Sequence, residues 1–155
     1  DNHPINCVTQ TGAAAYCQRV GKRLPTEAEW EYVARGAVRS KYPWGSESPD
    51  AQLCWSGKQS RSGTCEVGQY VATLLGSTDL RGQLGIFDLA GNVSEWTSTP
   101  YCSMFNGAGN CSSKNYSLRG GSWGPSAAQY VRAAFRGYNN AATWNSNVGF
   151  RCARD

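Results

Sequence analysis

Seven cysteines carry most of the chemical potential of this chain: Cys7, Cys17, Cys54, Cys65, Cys102, Cys111 and Cys152. Thiols can bind soft metals, act as nucleophiles or pair into disulfides. No two stand in C-x-x-C spacing, so a zinc ribbon or a thioredoxin-like motif finds no support. His3 is the single histidine, which leaves no material for a histidine-rich metal site. Intervals of about ten residues suit disulfides that close loops, hence an oxidising compartment. The alternative is a set of buried thiols behaving as small apolar side chains. Seven is odd, so one thiol is left over unless it pairs between chains. Ser122 and Ser126 lack a histidine base. Glu27, Glu29 and Glu31 crowd one short stretch. There a solvated helix face is expected ahead of acid–base chemistry.

Two helices would position these residues. Thr11–Val20 places Ala13, Ala14, Tyr16, Cys17 and Val20 at a period near 3.6, and Gly21 follows as a stop. Thr26 with Glu29 forms a capping box ahead of Trp30, Val33 and Ala34, and Gly36 ends that second helix. Beyond it the chain breaks into short apolar pieces. Val71–Leu75 is ambiguous. Gly85–Leu89 and Val93–Trp96 read as turns and short strands. Leu118–Trp123 reads as a strand entering a tight turn. Tyr130–Phe135 reads as a half-buried strand and Val148–Cys152 as the closing strand. The class is α+β, in one domain over 1–155. So much loop on a scaffold suits binding.

Composition narrows the functions. Charged residues are 17% of 155, below the usual quarter, and 6 Trp and 8 Tyr exclude disorder. The 18 glycines lack a period of three, which excludes collagen. No apolar run approaches a membrane span, and none reads as a signal peptide. The opening Asp1-Asn-His-Pro4 reads as a processed or excised piece. Net charge is +4 from scattered basic residues, so no nucleic-acid partner is expected.

Several longer motifs are specific. Asn2–Val8, Ala14–Cys17, Gly21-Lys-Arg-Leu-Pro-Thr-Glu-Ala-Glu-Trp-Glu-Tyr32 and Tyr42-Pro-Trp-Gly45 stand in the first third. Gly85-Ile-Phe-Asp-Leu-Ala-Gly-Asn-Val-Ser-Glu-Trp96, Arg119-Gly-Gly-Ser-Trp123 and Val148-Gly-Phe-Arg-Cys152 follow. In this order they resemble the formylglycine-generating-enzyme, or sulfatase-modifying factor, family. The resemblance implies a C-type-lectin-like fold: two helices, small twisted antiparallel sheets and much irregular loop. The family's N-terminal sheet segment has no counterpart here.

Members that oxidise cysteine to formylglycine carry two cysteines shortly after the segment matching Arg119–Ser122. Those thiolates bind copper, and soft Cu(I) requires them. The matching positions here are Pro125 and Tyr130, so the resemblance implies no catalysis and no copper. A second branch, the ergothioneine-pathway sulfoxide synthases, holds iron on a histidine cluster from another domain. This chain has only His3.

The family's calcium loop matches Asp88-Leu-Ala-Gly-Asn-Val-Ser-Glu95. It implies a Ca²⁺ held by the Asp88 side chain, the Gly91 and Val93 carbonyls and the Glu95 side chain. The bland alternative is that Asp88 and Glu95 cap turns and pair with arginines. The other family calcium loop matches poorly near Gln52-Leu53. Cys17 and Cys152 match a family disulfide. A second one would need cysteines where Ala34 and Ala133 stand. Cys54–Cys65 and Cys102–Cys111 are then loop staples by spacing, and Cys7 is expected as a buried free thiol.

The surface beside the lost copper site remains. Trp123, Ser126, Gln129, Tyr130, Tyr138, Asn139, Asn140, Trp144 and Asn145 mix aromatic anchors with adaptable polar groups, as a paratope does. Tyr130, Tyr138 and Trp144 are expected at the surface, and at least one of Trp123 and Phe135 in the core. The segment also resembles the hypervariable face of the variable proteins of diversity-generating retroelements. The expected role is a non-catalytic domain binding a protein or other ligand at the cell surface, outside the cell or in the periplasm. The competing readings are a copper oxidase, an iron sulfoxide synthase component, or a structural subunit of a surface assembly.

Overall fold

The computed structural model describes residues 2–57, 60–70, 86–104, 111–124 and 127–155, the side chains of 112 and 113 excepted. Val71–Leu75, Gly85, Pro125 and Ser126 lie outside the described residues. Helix α1 spans Gln10–Arg19 and starts one residue before the expected Thr11, because Thr9 caps it by accepting from the Gly12 N–H. Helix α2 spans Glu27–Arg35 with both hydrogen bonds of the Thr26–Glu29 capping box in place. Gly21 and Gly36 end the two helices at φ of 68° and 61°, where a side chain would be strained.

The sheet has four strands: β1 Ser94–Cys102, β2 Cys111–Arg119, β3 Gly137–Asn140 and β4 Val148–Gly149. Their order is β3-β2-β1-β4, with β4 parallel to β1 and the other pairs antiparallel. The sheet is therefore mixed, where an all-antiparallel one was expected.

The strand expected over Tyr130–Phe135 is absent. Ala128–Val131 forms a short 3-10 turn instead. The alternation itself is present, since Val131 and Ala133 are buried while Arg132 and Ala134 are exposed. But the Ala133 N–H donates to the Lys41 carbonyl, and its own carbonyl accepts from an arginine side chain, so no ladder forms. The closing strand is also shorter than expected. After Gly149 the chain leaves β1, and Ala153 bridges Arg23.

Three apolar clusters fill the domain. One packs α1 on the sheet through Ala13, Cys17, Trp96, Leu118 and Val148. A second joins Tyr42, Leu53, Trp55, Ala90 and Val131. The third joins Trp30, Ala34, Leu89 and Ala133. The alanines that stand in place of a family disulfide thus share one packed cluster. The three expected disulfides are formed: Cys17–Cys152, Cys54–Cys65 and Cys102–Cys111. Cys7 is free but exposed, contrary to expectation. Its segment lies outside the core. Asn6 bridges Gly149 there, the Cys7 N–H donates to Asn145, and the Cys7 backbone is left-handed at φ 53°.

Candidate functional site

The chain enters the C-terminal face through Gly120 and Gly121, at φ of 90° and 69°. A Cβ on Gly121 would collide with the Tyr130 carbonyl, so only glycine permits this turn. Trp123 follows, half-buried. Its backbone N–H donates to Asn92, and its indole N–H reaches the Ser146 carbonyl at 3.4 Å. Phe135 is also half-buried, so neither aromatic is a core residue.

Tyr130, Tyr138 and Trp144 are 37%, 56% and 65% exposed, as expected of anchors. Tyr130 packs edge-on against Phe135, and Tyr138 stacks on Tyr101 at 4.4 Å. Tyr101 was not legible as a site residue, because the contact is made from β1 across β2. Gln129, Asn140 and Asn145 are exposed and Asn139 is half-buried. The asparagines brace their own loop. Asn139, Asn140 and Asn145 accept from the backbone N–H groups of Asn140, Ala142 and Ser146. Those three carboxamide oxygens therefore hold the backbone, leaving their NH₂ groups for a ligand.

A charge network underlies this face. Arg119 has no exposed side-chain surface and lies 2.6 Å from Glu31 and 3.6 Å from Glu27. It also donates to three successive carbonyls, at 2.9 Å to Ala133, 3.4 Å to Ala134 and 2.7 Å to Phe135. Arg136 forks onto Glu27 at 2.8 and 2.9 Å, and the Ser117 hydroxyl adds a third bond. The expectation of a solvated glutamate face holds only for Glu29. Glu27 and Glu31 are turned inward by their arginines. Burial pulls the Arg119 guanidinium down from its usual range while both carboxylates oppose that. The bond to Glu27 pushes Arg136 up. Residues 133–136 are thereby pinned from beneath.

The loop proposed for calcium is also closely built. Asp88, Gly91 and Asn92 have φ of 55°, 75° and 61°. The Asn92 side chain clamps the backbone of Cys65. Glu95 is bidentate to Arg151, at 2.6 Å on each oxygen, and accepts the Trp30 indole N–H at 2.7 Å. One Asp88 oxygen accepts from the Gly68 N–H, whereas the other is buried without a partner. Burial raises the Asp88 pKa. A cleft of about 360 Å³ is lined by Asp88, Val93, Glu95 and Arg151. Asp88 thus keeps an oxygen that a hard cation could use, while Glu95 is already neutralised. Gly91 and Val93 are buried in the same turn. Among the described residues no three His, Cys, Asp or Glu side chains gather as a metal site.

Residues 1–155 match the family model described as the sulfatase-modifying factor enzyme 1-like domain. The chain belongs to this family. The sulfatase-modifying-factor domain is 40% identical to the formylglycine-generating enzyme of Mus musculus over 167 residues, covering 99% of the chain and 45% of that protein. It is 35% identical to inactive C-alpha-formylglycine-generating enzyme 2 of Bos taurus over 156 residues, covering 97% and 50%. It spans about half the length of these curated relatives. The family thus includes enzymes and members named inactive. Among solved structures, Treponema denticola variable protein 1 superposes with a TM-score of 0.76 at 24% identity, covering 96% of this chain and 70% of that one. The sulfatase-modifying-factor domain is accordingly C-type-lectin-like in fold, with two helices and a small mixed sheet.

Proposed function

We propose that this chain is a non-catalytic ligand-binding domain that works outside the cytoplasm and takes a protein or other ligand on its C-terminal face. One observation carries the reading. Exposed Tyr130, Tyr138 and Trp144 flank residues 133–136, which buried Arg119 and the Glu27–Arg136 pair hold in place, in a stretch where no cysteine occurs between Cys111 and Cys152. Rigid aromatics with polar neighbours suit recognition at low entropic cost. A copper oxidase needs thiolates that this stretch cannot supply, at Pro125, Tyr130 or elsewhere. Three disulfides support the compartment. Among the described residues no helix is long and apolar enough to cross a membrane.

Two measurements test this reading. Incubation with Cu(I) and a cysteine-containing sulfatase peptide should leave the cysteine unchanged by mass spectrometry; turnover would restore the oxidase. Pull-downs from surface extracts should lose their partner with Tyr138→Ala plus Trp144→Ala; unchanged capture would remove the face from the reading. Calcium is a second element of the proposal, supported by the unpartnered Asp88 oxygen beside its cleft. Its set is Asp88, the Gly91 and Val93 carbonyls and Glu95, which must exchange Arg151 for the cation to join them.

A further inference from the structure

A second cleft, of about 480 Å³, opens at the C-terminal end of α2, between its last turn and residues 36–39. Glu31, Tyr32, Arg35 and Arg39 line it. Tyr32 is 67% exposed, so it forms an open aromatic wall rather than part of the core. The charges around the cleft do not balance. Glu31 is shared, holding Arg119 at 2.6 Å through one oxygen and Arg35 at 2.9 Å through the other. Glu27 is already taken by Arg136 and Arg119. Among the described residues Glu27 and Glu31 face Arg119, Arg136 and Arg35, and Arg35, which lines the cleft beside Glu31, has only that shared carboxylate as its counter-ion. Arg39 adds another positive charge. Its side chain is exposed and forms no ion pair among the described residues.

The hydrogen bonding points the same way. Arg35 uses one terminal nitrogen on Glu31 and the other on the Arg39 carbonyl. Its Nε is buried and has no acceptor. A buried N–H without a partner calls for a water or an ion. The helix end repels an anion less than a bare terminus would, because two of its last-turn carbonyls and the capping Gly36 carbonyl are occupied. Tyr32, Arg35 and Gly36 accept from the N–H groups of Gly36, Ser40 and Arg39.

We infer that this cleft is an oxyanion site, in which Arg39 offers a free planar fork and Arg35 a fixed neighbouring positive charge to a carboxylate, sulfate or phosphate group. Guanidinium forks match such groups in geometry as well as charge. The site does not depend on the C-terminal face.

The test is a titration of the whole chain with inorganic sulfate, inorganic phosphate and doubly blocked glutamate, followed by the NMR signals of the arginine Nε–H groups. Saturable shifts at Arg35 and Arg39 are expected. Arg39→Gln should weaken them about tenfold, the loss of one charge-assisted bond, with an unchanged Tm in the absence of anion. Tighter binding of the inorganic ions assigns the cleft to a free anion. Tighter binding of blocked glutamate assigns it to an acidic side chain of a protein partner. No saturable shift with any probe, or Arg39→Gln binding as wild type does, would overturn the site.

Discussion

Arg119 and Glu31 form an ion pair of 2.6 Å in which the guanidinium side is wholly withdrawn from water. Arg119→Met leaves Glu31 to its partly exposed Arg35 partner and Glu27 to Arg136, and it frees three carbonyls that lose their charged donor. The expected loss is about 3–5 kcal/mol in urea unfolding, the range for breaking a buried pair. A loss below about 1 kcal/mol, the surface-pair range, would mean that the network does not hold the face.

The outer pair behaves differently. Arg23 and the Thr26 N–H hold the Glu29 carboxyl down at about 2, below its usual 4.5. A depressed carboxyl stabilises the fold above its unfolded pKa and loses that contribution as pH falls through the folded value. The window is therefore pH 4.5 to about 2. Glu29 is largely solvent-facing, so screening keeps the effect small. The Tm of wild type should fall faster than that of Glu29→Gln across this window; parallel curves would refute the linkage.

Disulfide accessibility should follow burial. Cys7 is exposed and should react with iodoacetamide without reductant. Cys111 is exposed, whereas Cys17 is wholly buried. Under graded dithiothreitol, Cys102–Cys111 should open first and Cys17–Cys152 last, by mass spectrometry. Cys17–Cys152 joins residues 135 apart. Replacing both by alanine should remove about 5 kcal/mol on the loop-entropy model.

Gly121→Ala places a Cβ against the Tyr130 carbonyl at a left-handed φ. Thermal unfolding should show a loss of several kcal/mol, since backbone must move. Gly124→Ala, in open space, is the control and should be near neutral.

Calcium at 100 times its Kd should stabilise the chain by about 2.7 kcal/mol, and Asp88→Asn should remove the effect. Because burial raises the Asp88 pKa, protons should compete with the cation as pH falls. A Tm indifferent to calcium in wild type would retire this element.

Much of the scaffold was legible in the residues. Thr26 and Glu29 announce a capping box by type and spacing alone, and both bonds form. The cysteine intervals, with the family resemblance, anticipated all three bridges. What escaped detection depended on partners distant in sequence. Glu27 looks like any surface carboxylate until Arg136, 109 positions on, folds over it. Tyr130–Phe135 has the period of a strand, but Arg119 and Lys41 take the backbone bonds that a ladder would use. The exposure of Tyr138 and Trp144 was readable from their polar neighbours. Tyr101, beneath Tyr138, was not, because a cross-strand stack leaves no local pattern.

The bond between Cys17 and Cys152 has a further consequence. It makes the chain between those residues a covalent ring, within which Cys54–Cys65 and Cys102–Cys111 close smaller rings. A protease cutting one loop within the ring produces a nicked molecule and no released fragment. Both ends of the break stay attached to the same core, so an exposed loop can be cleaved without shedding the domain that carries it.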